Sequence, residues 1–508
     1  MRTDWAIVLT FGLYFIVVIL LGICAWRRTK TGEDYFLGGR STGPWVTALS
    51  AGASDMSGWL LLGLPGYMFA SGAQALWLAA GLLLGTWLNW LIVARRLRVF
   101  SYAADNALTL PEFFVNRFHG AKLSLRLVPA FFIVIFYLFY TSAGLVAGGK
   151  LFETALGLDY TTAVVVGSVA VISYTLFGGY LAVCWTDLIQ GLMMAAALVA
   201  VPVVIMGQSG GGAAVVDSVT THNPLFLDPL RTMNGEPLGW ITIVSLLGWG
   251  LGYFGQPHIL SRFKGIRSER DIAGACTIAC SWSAICLVAA LLVGVTGLAF
   301  SLNNGLVIDD PEEIFIILVN AAFHPVVAGI LLAAILAAVM STADSQLLVC
   351  STVIAEDFYK GLCAPHASPA KLLWVGRITV VVLAVIAALL ALDPDSSVLD
   401  LVAYAWAGFG AAFGPVLLLS LFWKEMTGRA ALAGIVAGGA TVVIWQPLSG
   451  GLFDLYELVP AFVISAAVVV VVTALDRTGR RPSKDRFLHC QRQLNPGLQA
   501  ADTTAPIM

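Results

Sequence analysis

Charged residues are scarce in this sequence. Asp, Glu, Lys and Arg make up 11% of the 508 residues, whereas soluble domains contain about 25%. Hydrophobic residues make up 59% of the chain. This imbalance excludes a soluble enzyme with one membrane anchor, and a net charge of −2 offers no basic excess for binding nucleic acid. The composition predicts a polytopic protein of the lipid bilayer, with no obligatory protein partner evident.

Sequence motifs for metal, disulfide and nucleotide chemistry are also missing. The eight cysteines include no Cys-x-x-Cys pair, so neither a disulfide framework nor a zinc site is predicted. The segment Gly144–Lys150 approaches a phosphate-binding loop, but it lacks the following Ser or Thr and continues a hydrophobic helix. No nucleophile–base pair suggests an enzyme. Without a nucleotide-binding domain, a transporter with this sequence would have to draw its energy from an ion gradient.

Long apolar runs dominate what remains, and we interpret each run of about 18 or more residues as a membrane span. Thirteen such runs lie at approximately 4–25, 45–70, 74–95, 127–149, 160–177, 186–207, 238–260, 272–300, 313–348, 372–391, 398–423, 430–447 and 456–475. With the N-terminus outside, all but three of the 28 Lys and Arg residues fall on the inner side. The exceptions are Arg2, Lys150 and Arg231. We therefore expect an outside N-terminus and a cytoplasmic C-terminus, with a flexible, partly disordered tail after residue 476.

The second span carries a carboxylate and several helix-breaking residues. Asp55 stands among Gly52, Gly58, Gly63 and Pro65. An ionised side chain in hydrocarbon is costly and suggests a functional site. An unwound helix would release main-chain carbonyls, which are hard oxygen donors suited to an alkali cation. A merely kinked helix, with Asp55 satisfied by its neighbours, is the alternative.

The ninth span concentrates hydroxyl groups near a second carboxylate. Ser341, Thr342 and Ser345 share one helical face with Ala338, and Asp344 lies between them. Such hydroxyls often bond only to their own helix. Together with an unwound second span, they would complete an all-oxygen site for a hard cation such as Na+.

Asp187 lies near the start of the sixth span. It fits either an ion path or an acid at a helix N-terminus.

The seventh span contains four glycines and Pro257 within Leu247–His258, which predicts a second interrupted helix. Trp249 and Tyr253 are four residues apart, so one helical face could present both to a small ligand; packing is the alternative, but we expect packing not to explain the glycines. His258 is interpreted as an interface histidine.

The second and seventh spans are five apart, and paired interruptions at corresponding positions are typical of inverted-repeat transporters. At these motifs the sequence resembles the sodium:solute symporter family, over roughly residues 5 to 475. The stretches that carry the resemblance are Leu37–Ser41, Val46–Trp59, Gly248–His258, Ile335–Thr342 and Tyr404–Pro415. Because these matching stretches are long, the sequence most resembles the family's bacterial carriers of L-proline.

The resemblance implies an all-α polytopic protein of the bacterial inner membrane. Its core would be leucine-transporter-like, with five plus five helices related by inversion, one helix before it and two after. The parts would be a first helix and cytoplasmic loop at 1–43, the transport core at 44–423, two additional helices at 424–476 and a cytoplasmic tail at 477–508.

The resemblance also implies functional residues. Sodium would bind to the carbonyls of Ala53, Met56 and Ala338 and the hydroxyls of Ser341 and Thr342. Asp55 would support that site, and Asp187 would lie on the inward sodium path. Proline would contact Ser57, Gly58, Tyr140, Trp249, Tyr253 and Pro257. Asp344 and Ser345 depart from the proline-carrier pattern and would add a second cation site.

Other functions stay open at this point. The main alternative is a sodium symporter for another small solute, such as another amino acid or pantothenate. A membrane sensor on the same fold would need an output domain, which the short tail does not provide. A channel would need no coupled substrate pocket.

Overall fold

The computed structural model describes residues 5–26, 32–118, 122–175 and 179–494, which are almost entirely helical. These residues confirm the all-α class. They form twenty-one α-helices: α1 Trp5–Trp26, α2 Gly32–Leu37, α3 Pro44–Asp55, α4 Leu64–Ser71, α5 Ala75–Leu88, α6 Arg95–Ala103, α7 Leu110–Arg117, α8 Lys122–Leu156, α9 Tyr160–Thr175, α10 Tyr180–Gln208, α11 Gly212–His222, α12 Trp240–Gly248, α13 Pro257–Gly265, α14 Ile272–Asn304, α15 Ile314–Ala322, α16 Pro325–Thr352, α17 Pro369–Leu390, α18 Val398–Phe422, α19 Gly428–Trp445, α20 Leu458–Leu475 and α21 Arg477–Leu494.

Many of these helices are long and apolar enough to cross a membrane. Among the described residues, ten helical segments meet both criteria, and two shorter apolar helices lie at Tyr160–Val171 and Trp240–Gly255. Helices suit the bilayer because they satisfy their own backbone hydrogen bonds where water is absent. The chain is therefore a multi-pass membrane protein.

The ninth apolar run contains two helices rather than one. Helix α15 ends at Ala322 and α16 begins at Pro325, after His324 in an extended conformation. A residue before proline is disfavoured in the α region, which explains the break. The prediction of one continuous helix over 313–348 is therefore wrong. At its other end α16 continues into a π-helical segment at Val353–Cys363.

Helices α16 and α18 lie at the centre of the bundle. In the apolar 18-residue stretch of each of these two spans, 83% of the residues are buried, against 28% in the corresponding stretches of α1 and α20. Helix α16 packs against α1, α3, α8 and α10. Its polar residues therefore face protein, and an ion site on this helix would be enclosed by other helices.

The seventh apolar run is interrupted, as predicted. Helix α12 gives way to a 3₁₀ segment at Trp249–Gly255, and Gln256 is extended before α13 begins. Close packing explains the glycines here, so that expectation is wrong. A Cβ atom on Gly250 would clash with the backbone of Gly81, and one on Gly252 would clash with the indole ring of Trp406.

The C-terminal segment folds as α21, so the expectation of a disordered tail is wrong for its first eighteen residues. Phe487 packs edge-on against Phe100 of α6, with ring centroids 5.4 Å apart. The buried guanidinium of Arg117 donates to the carbonyls of Ser420 (3.1 Å) and Ser483 (2.8 Å). Burial lowers the pKa of Arg117 to about 10, so this arginine stays cationic at neutral pH. The remaining tail, 495–508, lies outside the described residues.

Replacing Gly252 by Ala is expected to destabilise the protein by roughly 1–3 kcal/mol, because the added methyl group overlaps the Trp406 ring. Thermal unfolding of the purified protein in detergent measures the effect. Gly274→Ala is the matched control, because a Cβ there meets nothing within 4 Å. Equal midpoints for the two variants would contradict the packing argument.

Replacing Phe487 by Ala is expected to release α21 from α6. Cys490 is fully buried on the same face of α21, and burial raises the pKa of its thiol. Undocking should speed alkylation of Cys490 by about tenfold or more, as followed by mass spectrometry. The exposed Cys363 provides an internal reference, and Lys484→Ala, on the exposed face of α21, is the control. An unchanged alkylation rate would show that α21 is held by other contacts.

Candidate functional site

Helix α3 ends at Asp55, within the second predicted span. Met56 leaves the helical conformation (φ −83°, ψ 80°), and the amide of Ser57 donates to the carbonyl of Asp55 at 3.0 Å. This geometry is an inverse γ-turn. In a continuous helix the same amide would bond to the carbonyl of Ala53. The break therefore releases the Ala53 carbonyl, and the chain continues as a π-helical turn at Trp59–Gly63.

Oxygen atoms from α3 and α16 converge beside this break. The hydroxyl of Ser341 lies 2.8 Å from the carbonyl oxygen of Ala53 and 3.1 Å from that of Ala338. Met56, which follows Asp55, and Thr342, which follows Ser341, are also buried. The Thr342 hydroxyl has no hydrogen-bond partner among the residues that the structure describes. A buried polar group without a partner requires an explanation such as a bound ion or water. A hard cation fits this all-oxygen set.

Asp55 connects the break to two other elements. Its carboxylate accepts a hydrogen bond of 2.7 Å from the hydroxyl of Tyr253, in the 3₁₀ segment after α12. Its main-chain carbonyl accepts bonds from the hydroxyl of Tyr140 on α8 (2.9 Å) and from the indole of Trp59 (3.1 Å). The two interrupted helices therefore meet at Asp55. The non-helical Met56 makes this a break and not a kink in a continuous helix, although a neighbour does satisfy one oxygen of Asp55.

Trp249 and Tyr253 do not share a face. Residues three apart are eclipsed in a 3₁₀-helix, so residues four apart point about 120° away from each other. Trp249 stacks on Tyr456 of α20, with ring centroids 5.4 Å apart, while Tyr253 packs edge-on against Trp406 at 4.9 Å. The prediction of a shared face is wrong because it assumed α-helical spacing.

The other predicted substrate residues fall into two places. Ser57 and Gly58 form the break itself, and a Cβ on Gly58 would lie 2.5 Å from the Cβ of Ala147 on α8. Pro257 is the first residue of α13 and lines a separate cavity of about 30 Å³ together with Arg262. The structure thus gathers Ser57, Gly58, Tyr140 and Tyr253 around the break, whereas Trp249 stacks on Tyr456 and Pro257 lines another cavity.

The space beside Asp55 is closed in this structure. The cavity lined by Asp55 and Tyr253 measures about 10 Å³, which is the room of about one water molecule. Pockets for small ligands measure about 300–1,000 Å³. A small ligand beside Asp55 and Tyr253 therefore requires the helices that line this cavity to move apart.

Asp187 forms a buried ion pair that the sequence analysis did not foresee. It lies beyond the first turn of α10, so the helix-terminus explanation does not apply. Its carboxylate accepts from the guanidinium of Arg262 (3.1 Å) and the hydroxyl of Ser50 (2.6 Å). The same guanidinium contacts the hydroxyl of Ser345. The sequence offered one signal for this ion pair, because an acidic residue within the membrane usually pairs with a basic one.

Asp344 and Ser345 have different neighbours. Asp344 is fully buried on the face of α16 where Met340, one turn earlier, accepts a bond from the hydroxyl of Tyr14 on α1. Ser345 instead contacts Arg262. Adjacent residues of a helix point about 100° apart, so the two side chains serve different interfaces.

Two more buried basic residues, Arg40 before the second span and Lys264 after the seventh, were also missed from the sequence. Arg40 donates to the carbonyl of Lys264 (2.7 Å), and the ammonium group of Lys264 donates to the carbonyl of Leu108 (2.5 Å). Burial, helped by the charge of Arg40, lowers the pKa of Lys264 to about 7. These bonds join the loop before α3, the end of α13 and the loop before α7.

The sequence matches known transporters over almost its whole length. The sodium:solute symporter family matches residues 35–438. The sodium/proline symporters of Salmonella typhimurium and Escherichia coli are each 47% identical over 491 residues, covering 96% of this chain and 96% of the relative. The high-affinity proline transporter PutP of Bacillus subtilis is 47% identical over 471 residues, covering 92% of this chain and 98% of the relative.

Solved structures share the fold at much lower identity. A Na+-coupled sialic acid symporter in a substrate-bound outward-open state superposes with a TM-score of 0.76 at 20% identity, covering 92% of this chain and 98% of the other. Mhp1, a nucleobase-cation-symport-1 family transporter, in a closed conformation, gives 0.54 at 13% identity, covering 90% and 99%. The family match spans most of the chain and the relatives are far above chance in identity, so this chain belongs to the sodium:solute symporter family.

Proposed function

We propose that this chain is a sodium-coupled secondary active symporter that imports L-proline by alternating access. The observation that carries the proposal is the convergence of the Ser341 hydroxyl and the Ala53 and Ala338 carbonyls where α3 breaks. The substrate is supported by the relatives named sodium/proline symporter, which are 47% identical across 96% of the chain. As a family member the chain is a transporter and not an enzyme.

Sodium is held by oxygen atoms from α3 and α16. The carbonyls of Ala53, Met56 and Ala338 and the hydroxyls of Ser341 and Thr342 form the site. The unpartnered hydroxyl of Thr342 supports this assignment, because an ion would satisfy it. The carboxylate of Asp55 adds attraction at short range in a medium of low dielectric. Asp187 lies further along the ion path.

Proline binds at the break in α3. Ser57, Gly58, Tyr140 and Tyr253 provide the first contacts, and Trp249 and Pro257 join when the helices separate. The carboxylate of the zwitterion meets the amide groups that begin the second half of the span, since the first amides of a helix have no partner within it. The ammonium group is held by carbonyl oxygens and aromatic faces.

Coupling follows because both ligands depend on one turn of chain. Sodium fixes Ala53 and Met56 from one side, and proline contacts Ser57 and Gly58 immediately after them. An ion that orders the break prepares it for proline, and proline does the same for the ion. A coupling free energy of about 1–3 kcal/mol would raise each affinity several-fold or more, by the same factor in both directions.

The proposed topology has thirteen spans, with the N-terminus outside and the C-terminus in the cytoplasm of a bacterium. The 44–423 core consists of five plus five helices related by inversion, with two helices at 424–476 after it. The paired interruptions of α3 and α12 support the inversion. The ion pairs from Lys150 to Asp310 (2.8 Å) and Glu312 (2.7 Å) support the orientation, since they account for one of the few outside basic residues.

The function is tested with the purified protein in liposomes that carry an imposed inward sodium gradient. Radiolabelled L-proline should accumulate, and replacing sodium by potassium or collapsing the gradient should abolish accumulation. Unlabelled pantothenate and other amino acids should compete weakly. Strong competition by one of them would identify a different substrate, and accumulation without sodium would overturn the ion coupling.

Replacing Ser341 by Ala is expected to raise the sodium concentration for half-maximal proline uptake by roughly tenfold, because a ligand of the cation is lost. Ser351→Ala is the matched control. Ser351 is buried on the same helix, but in the part of the chain that the structure describes its hydroxyl bonds to the carbonyl of Leu348, one turn earlier on that helix. The control should keep the wild-type sodium curve. Identical sodium curves for both variants would exclude Ser341 as a ligand.

A further inference from the structure

Helices α3 and α16 bring oxygen atoms together at two levels. At the first level the Ser341 hydroxyl meets the Ala53 carbonyl. At the second, the hydroxyls of Ser50 and Ser345 both contact Arg262. Ser50 precedes Ala53 by three residues and Ser345 follows Ser341 by four, so on these antiparallel helices the second level lies about one turn, or roughly 5–6 Å, from the first.

The second level has the composition of a cation site. It has two hydroxyl oxygens and the Asp187 carboxylate, all buried. One oxygen of Asp187 accepts from Ser50 and Arg262, and the other has no hydrogen-bond partner among the described residues. Side chains from α3, α10 and α16 thus converge on one point.

A guanidinium group fills that point. Arg262 of α13 is 1% exposed. Its Nε donates to Ser50 (3.0 Å), its Nη2 donates to Asp187 (3.1 Å) and contacts Ser345, and its Nη1 donates to the carbonyl of His258 (3.0 Å). The delocalised charge of an arginine cannot be removed by deprotonation at physiological pH. The second level is therefore neutralised by the chain itself.

We propose that Arg262 is a built-in cation at this second level, so that the chain binds one free sodium ion per proline instead of two. The inference rests on the proposed sodium-coupled function and goes beyond it, because it assigns Arg262 the control of ion stoichiometry. It also assigns Ser345 to the arginine and not to a free second ion. In this role Arg262 is a positioning and specificity-determining residue.

The variant Arg262→Gln tests the proposal. It leaves the Asp187 carboxylate buried without its counter-charge, and the transported sodium ion is the cation that can replace that charge. Dual-label flux in liposomes should show the ratio of sodium to proline rising about twofold. The sodium dependence of uptake should become correspondingly steeper. An unchanged ratio in an active variant would overturn the proposal.

Two controls separate charge from structure. The double variant Arg262→Gln/Asp187→Asn removes both charges, and its flux ratio should return to the wild-type value. Arg267→Gln removes an exposed arginine that pairs with Asp271, and it should leave the ratio unchanged. A raised ratio in either control would overturn the assignment to Arg262.

Equilibrium binding of radioactive sodium to the wild-type protein covers the case in which Arg262→Gln does not fold. One sodium ion per chain is the expected result, and two would overturn the proposal without any variant. Failure of the proposed function has a different signature, since the wild type would then show no sodium binding and no sodium-driven uptake. Normal coupling with an unaltered ratio in Arg262→Gln would overturn only the role of the arginine.

Discussion

The structure depends on one unmet requirement of the backbone. A carbonyl released inside an apolar bundle must find another partner, because no water is present to replace the lost hydrogen bond. At Ala53 that partner is the hydroxyl of Ser341, on α16, which with α18 is the most buried of the candidate spans among the described residues. The contact fixes the position of the break relative to the centre of the protein. A break of this kind is stable only where a second helix supplies polar groups at the same depth in the bundle.

Asp55 extends this constraint to the other half of the core. Its side chain accepts from Tyr253 in the second interrupted helix, and its main chain accepts from Tyr140 of α8. A change in any one of these elements therefore alters the hydrogen bonding of the other two. Buried hydrogen-bond networks of this type are strong when complete and costly when one member is lost. This linkage gives a physical basis for a cooperative conformational change around the break.

Much of this arrangement could be predicted from the sequence, and the failures have specific causes. Asp55 with its glycines, and the hydroxyls at Ser341 and Thr342, stand out because polar groups are expensive in apolar runs. Arg262 did not, because nothing in one sequence tells which arginine beyond a span folds back into the bundle. The pairing of Trp249 with Tyr253 failed because 3₁₀ geometry is decided by tertiary packing. The docking of α21 depends on the buried Arg117, whose partners are distant in sequence.

The closed space beside Asp55 has a consequence for bioenergetics. A cavity with room for about one water molecule cannot hold a hydrated ion, so ions pass beside Asp55 only when the helices rearrange, and idle copies in a membrane do not dissipate the electrochemical gradient there. Leakage is then limited by how rarely the bundle opens with neither ligand bound. Selection on such a protein acts on the stability of the sealed form as well as on the speed of turnover.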